Sequence, residues 1–100
     1  MSTDKYAFNE DNVNKSPDVQ GIYQLYDGDT LIYIGRADGK TVTIRSRLQA
    51  HLRGDEGPCT QSATTYSRYE HSNPKAEEIR LLDAFKARWG RLPRCNSRVG

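Results

Sequence analysis

The chain reads as one small α/β domain, a three-stranded, mainly antiparallel sheet flanked by helices in the order β-β-α-β-α. Three observations predict it. Two runs rich in Ile, Leu and Tyr, residues 21–26 and 31–35, flank Asp27-Gly28, a strong hairpin signal. Ile44, Leu48 and Leu52 recur at four-residue steps, the period of a helix with one buried stripe. A second helical pattern, with Ile79, Leu81, Leu82, Phe85 and Trp89 as its apolar face, follows Asn73-Pro74. A length of 100 residues suits one domain, and 35% hydrophobic residues give it an adequate but thin core.

In chain order, residues 1–16 are a polar N-terminal arm that Tyr6 and Phe8 can pin to the body, and residues 17–100 form the domain proper. Side chains alternate faces along a strand. Tyr23 and Tyr33 therefore share a face only if the hairpin carries a bulge or an odd loop, and Gly28 can supply the left-handed residue. Residues 36–40 are a loop. Thr41 or Thr43 caps the first helix, which runs to about Leu52 and stops at Gly54. Residues 54–61 are a second loop, and the Thr- and Tyr-rich residues 63–71 form the third strand. Asn73 as cap and Pro74 in the first turn open the second helix, and Gly90 ends it. Helical phase places Trp89 in the core; a dimer patch made with Leu92 is the other reading.

No apolar run approaches the roughly 20 residues of a membrane-spanning helix. The sequence after Met1 lacks a basic, then apolar, leader, so the expected location is cytoplasmic. Cys59 and Cys95 lie in no C-x-x-C pair, which argues against zinc. In a cytoplasmic protein both are expected to be free thiols. Charge is unevenly spread. Residues 1–35 hold two Lys against six acids, whereas residues 36–100 hold thirteen Lys and Arg, mostly Arg, against seven acids. A basic, arginine-rich two-thirds fits a polyanion partner as well as an ordinary solvated surface.

Glu78 is the most informative charged residue. At about 100° per residue it falls in the middle of the apolar stripe of the second helix, with Glu77 on the flank. A carboxylate there is costly unless it is paired or bound to a cation. Pairing with Arg45 or Arg47 is the plain reading; a metal or catalytic role is the sharper one. Arg47 and His51 sit one turn apart beside the first helix's apolar stripe, placed to grip a phosphate and handle a proton. Arg45 lies on the opposite flank and stays open as an alternative.

Gly21-Ile22-Tyr23 and Tyr33-Ile34-Gly35, nine residues apart, resemble the two motifs of the GIY-YIG nuclease family. The resemblance spans roughly residues 17 to 96. Residues 44–52 resemble the family's Arg helix, which selects Arg47 over Arg45 and singles out His51. Residues 78–82 resemble its Glu-x-x-apolar-apolar pattern and select Glu78, in agreement with helical phase. Pro93-Arg94-Cys95-Asn96 resembles its Pro-x-x-Asn ending. Arg36 stands where members often carry a basic residue, and Lys40 and Arg45 join it as expected DNA contacts.

The resemblance implies a metal-dependent DNA endonuclease leaving 5′-phosphate and 3′-hydroxyl ends. Glu78 would bind a single Mg²⁺ or Mn²⁺. Tyr23, with His51, would activate the attacking water, and which of the two is the base stays open. Arg47 would hold the scissile phosphate, Tyr33 would support phosphate or Tyr23, and Asn96 would orient the site. The family spans repair, structure-specific, homing and restriction nucleases, most targeted by extra domains. A bare catalytic domain would act on a DNA structure, dimerise or rely on a targeting protein. Two rivals from other classes remain: a non-catalytic DNA-binding module of the same fold, and a protein-interaction domain.

Overall fold

The computed structural model describes residues 4–96. Its elements are β1 (Tyr6–Ala7), α1 (Glu10–Asn14), β2 (Gly21–Asp27), β3 (Thr30–Ala37), α2 (Ile44–Arg53), α3 (Pro58–Gln61), β4 (Thr65–Glu70), α4 (Pro74–Trp89) and a closing 3-10 turn, Arg94–Asn96. The strands form one antiparallel sheet in the order β1-β4-β2-β3. The sheet therefore has four strands where three were expected. The extra one, β1, is a two-residue strand on the far edge that pairs with β4 through Tyr6 and Ala7.

β2 is flanked by β4 and β3, and β3 is an edge. The β2–β3 register shifts between Leu25 and Tyr26, so Leu25 faces Tyr33 while Tyr26 faces Leu31. This bulge on the β3 side, together with Gly28 at φ 63°, turns the hairpin. It also puts Tyr23, Leu25, Tyr33 and Gly35 on one face. α2 packs over that face, and Tyr23, Leu25, Ile32, Ile44, Leu48 and Tyr66 belong to one buried cluster. Alternation turns Ile22 and Ile34, both buried, to the other face, where α4 lies against β2 and β3.

Both long helices start and stop where the chain provides caps. The Thr43 side chain accepts from Ser46 N, and Ser46 Oγ accepts from Thr43 N, closing a reciprocal cap on α2. Gly54, at φ 86°, ends that helix. Asn73 caps α4, and Gly90 closes it in the left-handed conformation.

The N-terminal segment packs onto the body. Val13 is fully buried, Phe8 nearly so, and Ser16 Oγ and Tyr66 Oη are 2.7 Å apart. Arg45 Nε donates to the Ser16 carbonyl at 2.8 Å.

Two expectations are corrected. Cys59 and Cys95 are not free thiols; they form a disulfide with Cα atoms 5.8 Å apart. The compartment argument cannot see which loops the fold brings together, and here α3 and the closing turn meet. Trp89 is not core. It is 56% exposed, and Ile79 is 49% exposed, while Leu81, Leu82 and Phe85 are half-buried. The last turn of α4 lies beside Asp29, Thr30 and Leu31 at the hairpin end of the sheet, where Trp89 stays largely open among the described residues.

Candidate active site

Tyr23, Tyr33, Arg36, Arg47, His51, Glu78 and Asn96 lie around the β2–β3 pair. Tyr23 is opposite Gly35, and its ring stands 6.1 Å from that of Tyr33, centroid to centroid. Glycine is required at position 35 by this approach: a Cβ there would sit 2.5 Å from Tyr23 Oη. Gly21 has a comparable role, since a Cβ would run into the Tyr69 carbonyl and lie 2.8 Å from the Ile44 side chain at the start of α2. Both motif glycines thus serve close packing around the tyrosines and the Arg-bearing helix.

α2 brings Arg47 and His51 to the same place. His51 is 1% exposed, with Nε2 2.9 Å from Tyr23 Oη and Nδ1 2.8 Å from Thr60 Oγ1. Arg47 Nε donates to Tyr23 Oη at 3.4 Å. An oxygen that accepts from a guanidinium is free to donate its own proton elsewhere. The arrangement therefore orients Tyr23 O–H toward His51 Nε2 and the Nδ1–H toward Thr60. Burial, with the Arg47 guanidinium second, lowers the His51 pKa to about 4, so the ring is neutral around pH 7 and can accept. Burial, with Tyr33 second, holds the Tyr23 phenol well above its ordinary range, and Arg47 offsets only part of this. Tyr23 is a phenol here, not a phenolate. Tyr33 is raised by burial as well, and its ring lies 5.0 Å from the His51 ring.

Across the β3 edge, α4 presents Glu78. Its Oε1 accepts from Arg36 Nη1 at 2.6 Å, and Arg36 Nε also lies 3.4 Å from Asp38. The Glu78 side chain is 16% exposed. The expected partner was Arg45 or Arg47; the edge strand supplies Arg36 instead. Glu77 is occupied elsewhere, accepting from Tyr69 Oη at 2.6 Å and from Arg80. An open groove of about 300 Å³ is lined by Tyr23, Tyr33, Arg36, Asp38, Arg47 and Glu78.

Asn96 takes a backbone role. Its side chain accepts from Ile34 N at 2.8 Å and donates to Ile34 O at 3.0 Å, satisfying the β3 edge beside Tyr33. Lys40 is exposed in the loop after β3. Arg45 is turned to Ser16 and does not line the groove. Sequence reasoning missed Thr60 and Glu56. Glu56 Oε2 lies 3.4 Å from Arg47 Nη1. Neither carries a local signal, because both act across a loop onto α2.

A solved structure with the same architecture is the GIY-YIG N-terminal endonuclease domain of UvrC from Thermotoga maritima. That structure is a tyrosine-to-phenylalanine point mutant bound to its catalytic divalent cation. The match has a TM-score of 0.62 and covers 88% of this chain and 93% of that one, at 18% sequence identity. This chain has the GIY-YIG fold. No family model and no curated protein sequence matches it. At 18% identity the likeness rests on the fold, not on a shared sequence. The GIY-YIG architecture places Tyr23 and Tyr33 on adjacent strands of the sheet and Arg47 and Glu78 on the helices to either side.

Proposed function

We propose that the chain is a divalent-metal-dependent DNA endonuclease that hydrolyses phosphodiester bonds to 5′-phosphate and 3′-hydroxyl ends. The observation that carries this reading is the convergence on one groove of a Tyr23–His51 proton path, the Arg47 guanidinium and the Glu78 carboxylate.

The donor set fits the ion. Arg36 engages Oε1 of Glu78, and Glu78 lines the groove. No cluster of three or more His, Cys, Asp or Glu occurs among the described residues, so a full protein cage is absent there. Mg²⁺ and Mn²⁺ suit a single carboxylate, because much of the coordination sphere can be water and phosphate oxygen. When bound, such an ion supplies charge stabilisation to the leaving 3′ oxygen.

The chain's own residues do the rest. Arg47 binds the scissile phosphate and stabilises the charge that builds on it. Tyr23 holds the attacking water, takes its proton and passes its own to His51 Nε2. His51 is a weak base while Arg47 holds no phosphate. A phosphate on Arg47 cancels part of the repulsion that depresses its pKa and makes it a better acceptor. Thr60 fixes the ring, Tyr33 braces Tyr23 or bonds a phosphate oxygen, and Asn96 positions Tyr33 through β3. Arg36, which lines the groove, and Lys40, exposed in the loop after β3, serve as phosphate contacts.

The test is nicking of supercoiled plasmid in MgCl₂, MnCl₂ or EDTA, with Glu78→Ala in parallel. Metal-dependent nicking lost in the variant supports the reading. No cleavage with either metal, alongside a retained gel shift, would replace it with a DNA-binding module or a subunit that needs a targeting protein. Loss of both would leave a protein-interaction domain.

A further inference from the structure

From Ala84 to Asn96 the chain holds Lys86, Arg88, Arg91 and Arg94 and no acid; Arg94 pairs with Asp27 at 2.8 Å, and Asp29 lines the cleft beside Trp89. Within this stretch Trp89 is exposed and Phe85 half-buried, and each ring lies against a guanidinium group. Phe85 and Trp89 have centroids 6.2 Å apart at 43°. The Arg88 guanidinium lies 5.0 Å from the Trp89 ring, and that of Arg91 lies 5.8 Å from Phe85. Trp89 is 56% exposed. An exposed indole costs solubility unless something covers it, and the cations around it select a polyanion.

The cleft beside Trp89 shares Thr30, Leu31 and Arg91 with the next cleft along β3. That cleft shares Arg94 with a third, whose far wall is Tyr33 and His51. Neighbouring clefts with shared lining residues therefore line the β3 side of the molecule between Trp89 and Tyr33.

We propose that the end of α4 and the loop after it form a platform for single-stranded DNA, with Trp89 and Phe85 stacking bases and Lys86, Arg88 and Arg91 holding phosphates. Unpaired bases expose their faces to aromatic and guanidinium planes; a duplex does not. The backbone charge meets Lys86, Arg88 and Arg91, which outnumber the Asp29 carboxylate lining the cleft; an apolar or basic protein partner would not exploit them. The placement rests on the endonuclease reading in one respect: a single-stranded segment held here would lie at the Thr30 end of β3, the strand that also carries Tyr33.

Trp89 is the only tryptophan of the chain, so its fluorescence reports this site alone. The experiment titrates the full chain with a dT oligonucleotide of about 12 nucleotides, within the span such surfaces bind. EDTA is present so that no cleavage occurs. The expected result is saturable quenching that weakens steeply with salt and is smaller for a blunt duplex of equal length. Trp89→Ala, and separately Lys86→Glu with Arg91→Glu, should weaken binding of a labelled oligonucleotide by about tenfold, since one stacked base contributes on the order of 1–3 kcal/mol. Circular dichroism of each variant should match the native chain, because the altered side chains are exposed.

Four outcomes would overturn the proposal: no quenching at low salt; equal quenching by polyglutamate, which would mark an acidic-protein surface; equal or stronger quenching by the duplex; or a change only with protein concentration, which would mark a dimer patch. Quenching in a chain that nicks no plasmid would remove the catalytic reading and keep the platform. Nicking without quenching would do the reverse.

Discussion

Gly35 lies directly across the β2–β3 pair from Tyr23, and the absence of its side chain is what admits the Tyr23 ring. A Cβ at position 35 would sit 2.5 Å from Tyr23 Oη, so that hydroxyl would have to move off His51. Gly35→Ala is expected to lose about 1–3 kcal/mol of stability, the usual cost of overpacking a close-packed interior. It should also lose nicking activity beyond what the stability change explains. Urea denaturation gives the first number, and plasmid nicking well below the midpoint gives the second. Native stability in the variant would show that the ring has room the geometry denies it.

His51 makes the protein sensitive to mild acid. Its pKa falls from the ordinary 6.5 to about 4 on folding, through burial and the Arg47 charge. Between those values the unfolded chain binds a proton that the folded chain refuses, so stability rises with pH across that window. Read downward, the loss begins near pH 6.5 and is complete below about pH 4. The full effect is on the order of 3 kcal/mol. His51→Gln, which keeps a polar group near Tyr23, should flatten the stability curve across this interval. Carboxylates titrate mostly lower, so the difference between native and variant curves isolates the histidine. Parallel curves between pH 4 and 6.5 would show that His51 is freely protonated in the folded state.

The hairpin, α2 and the limits of both long helices were legible because their signals are local. Asp27-Gly28, Thr43, Gly54, Asn73-Pro74 and Gly90 act within a few residues of themselves. Helical phase set Glu78 apart from Glu77; in the structure Glu78 lines the groove and Glu77 is held by Tyr69 and Arg80. The misses are long-range. A two-residue strand such as β1 has no period to detect. α3 is one turn inside a Gly- and Pro-marked loop. Phase told which side of α4 Trp89 occupies but not that the sheet ends beneath it. The Glu78 partner was sought on the nearest basic helix, whereas an edge strand far off in sequence provides Arg36.

The Cys59–Cys95 bond ties two supports of the site together. Cys59 precedes Thr60, which holds His51, and Cys95 precedes Asn96, which holds β3 at Ile34. A crosslink over 36 residues restricts the unfolded chain, and its removal is expected to cost about 2–4 kcal/mol. Cys59→Ser with Cys95→Ser, or the native chain in dithiothreitol, should show that loss by urea denaturation. A thiol count on the non-reduced native chain should find no free cysteine. Two titratable thiols in a fully stable protein would remove the bond from the account.

Arg36 and Glu78 form an ion pair in the lining of the groove. The guanidinium holds Oε1 at 2.6 Å, and its charge opposes a second cation at the same carboxylate. If Glu78 is the metal ligand, Arg36→Ala should bind Mn²⁺ several-fold more tightly, because a competing cation has gone. It should bind DNA more weakly, with the salt dependence reduced by about one counterion, because a phosphate contact has gone with it. Glu78→Gln keeps the side chain's shape and loses the charge, so Mn²⁺ binding should disappear while DNA still shifts in a gel. Electron paramagnetic resonance of free Mn²⁺ measures the first effect, and gel shifts over a salt series measure the second. Neither depends on turnover. Unchanged Mn²⁺ affinity in both variants would assign the carboxylate a purely structural pairing with Arg36, and the metal would have to be sought elsewhere along the groove.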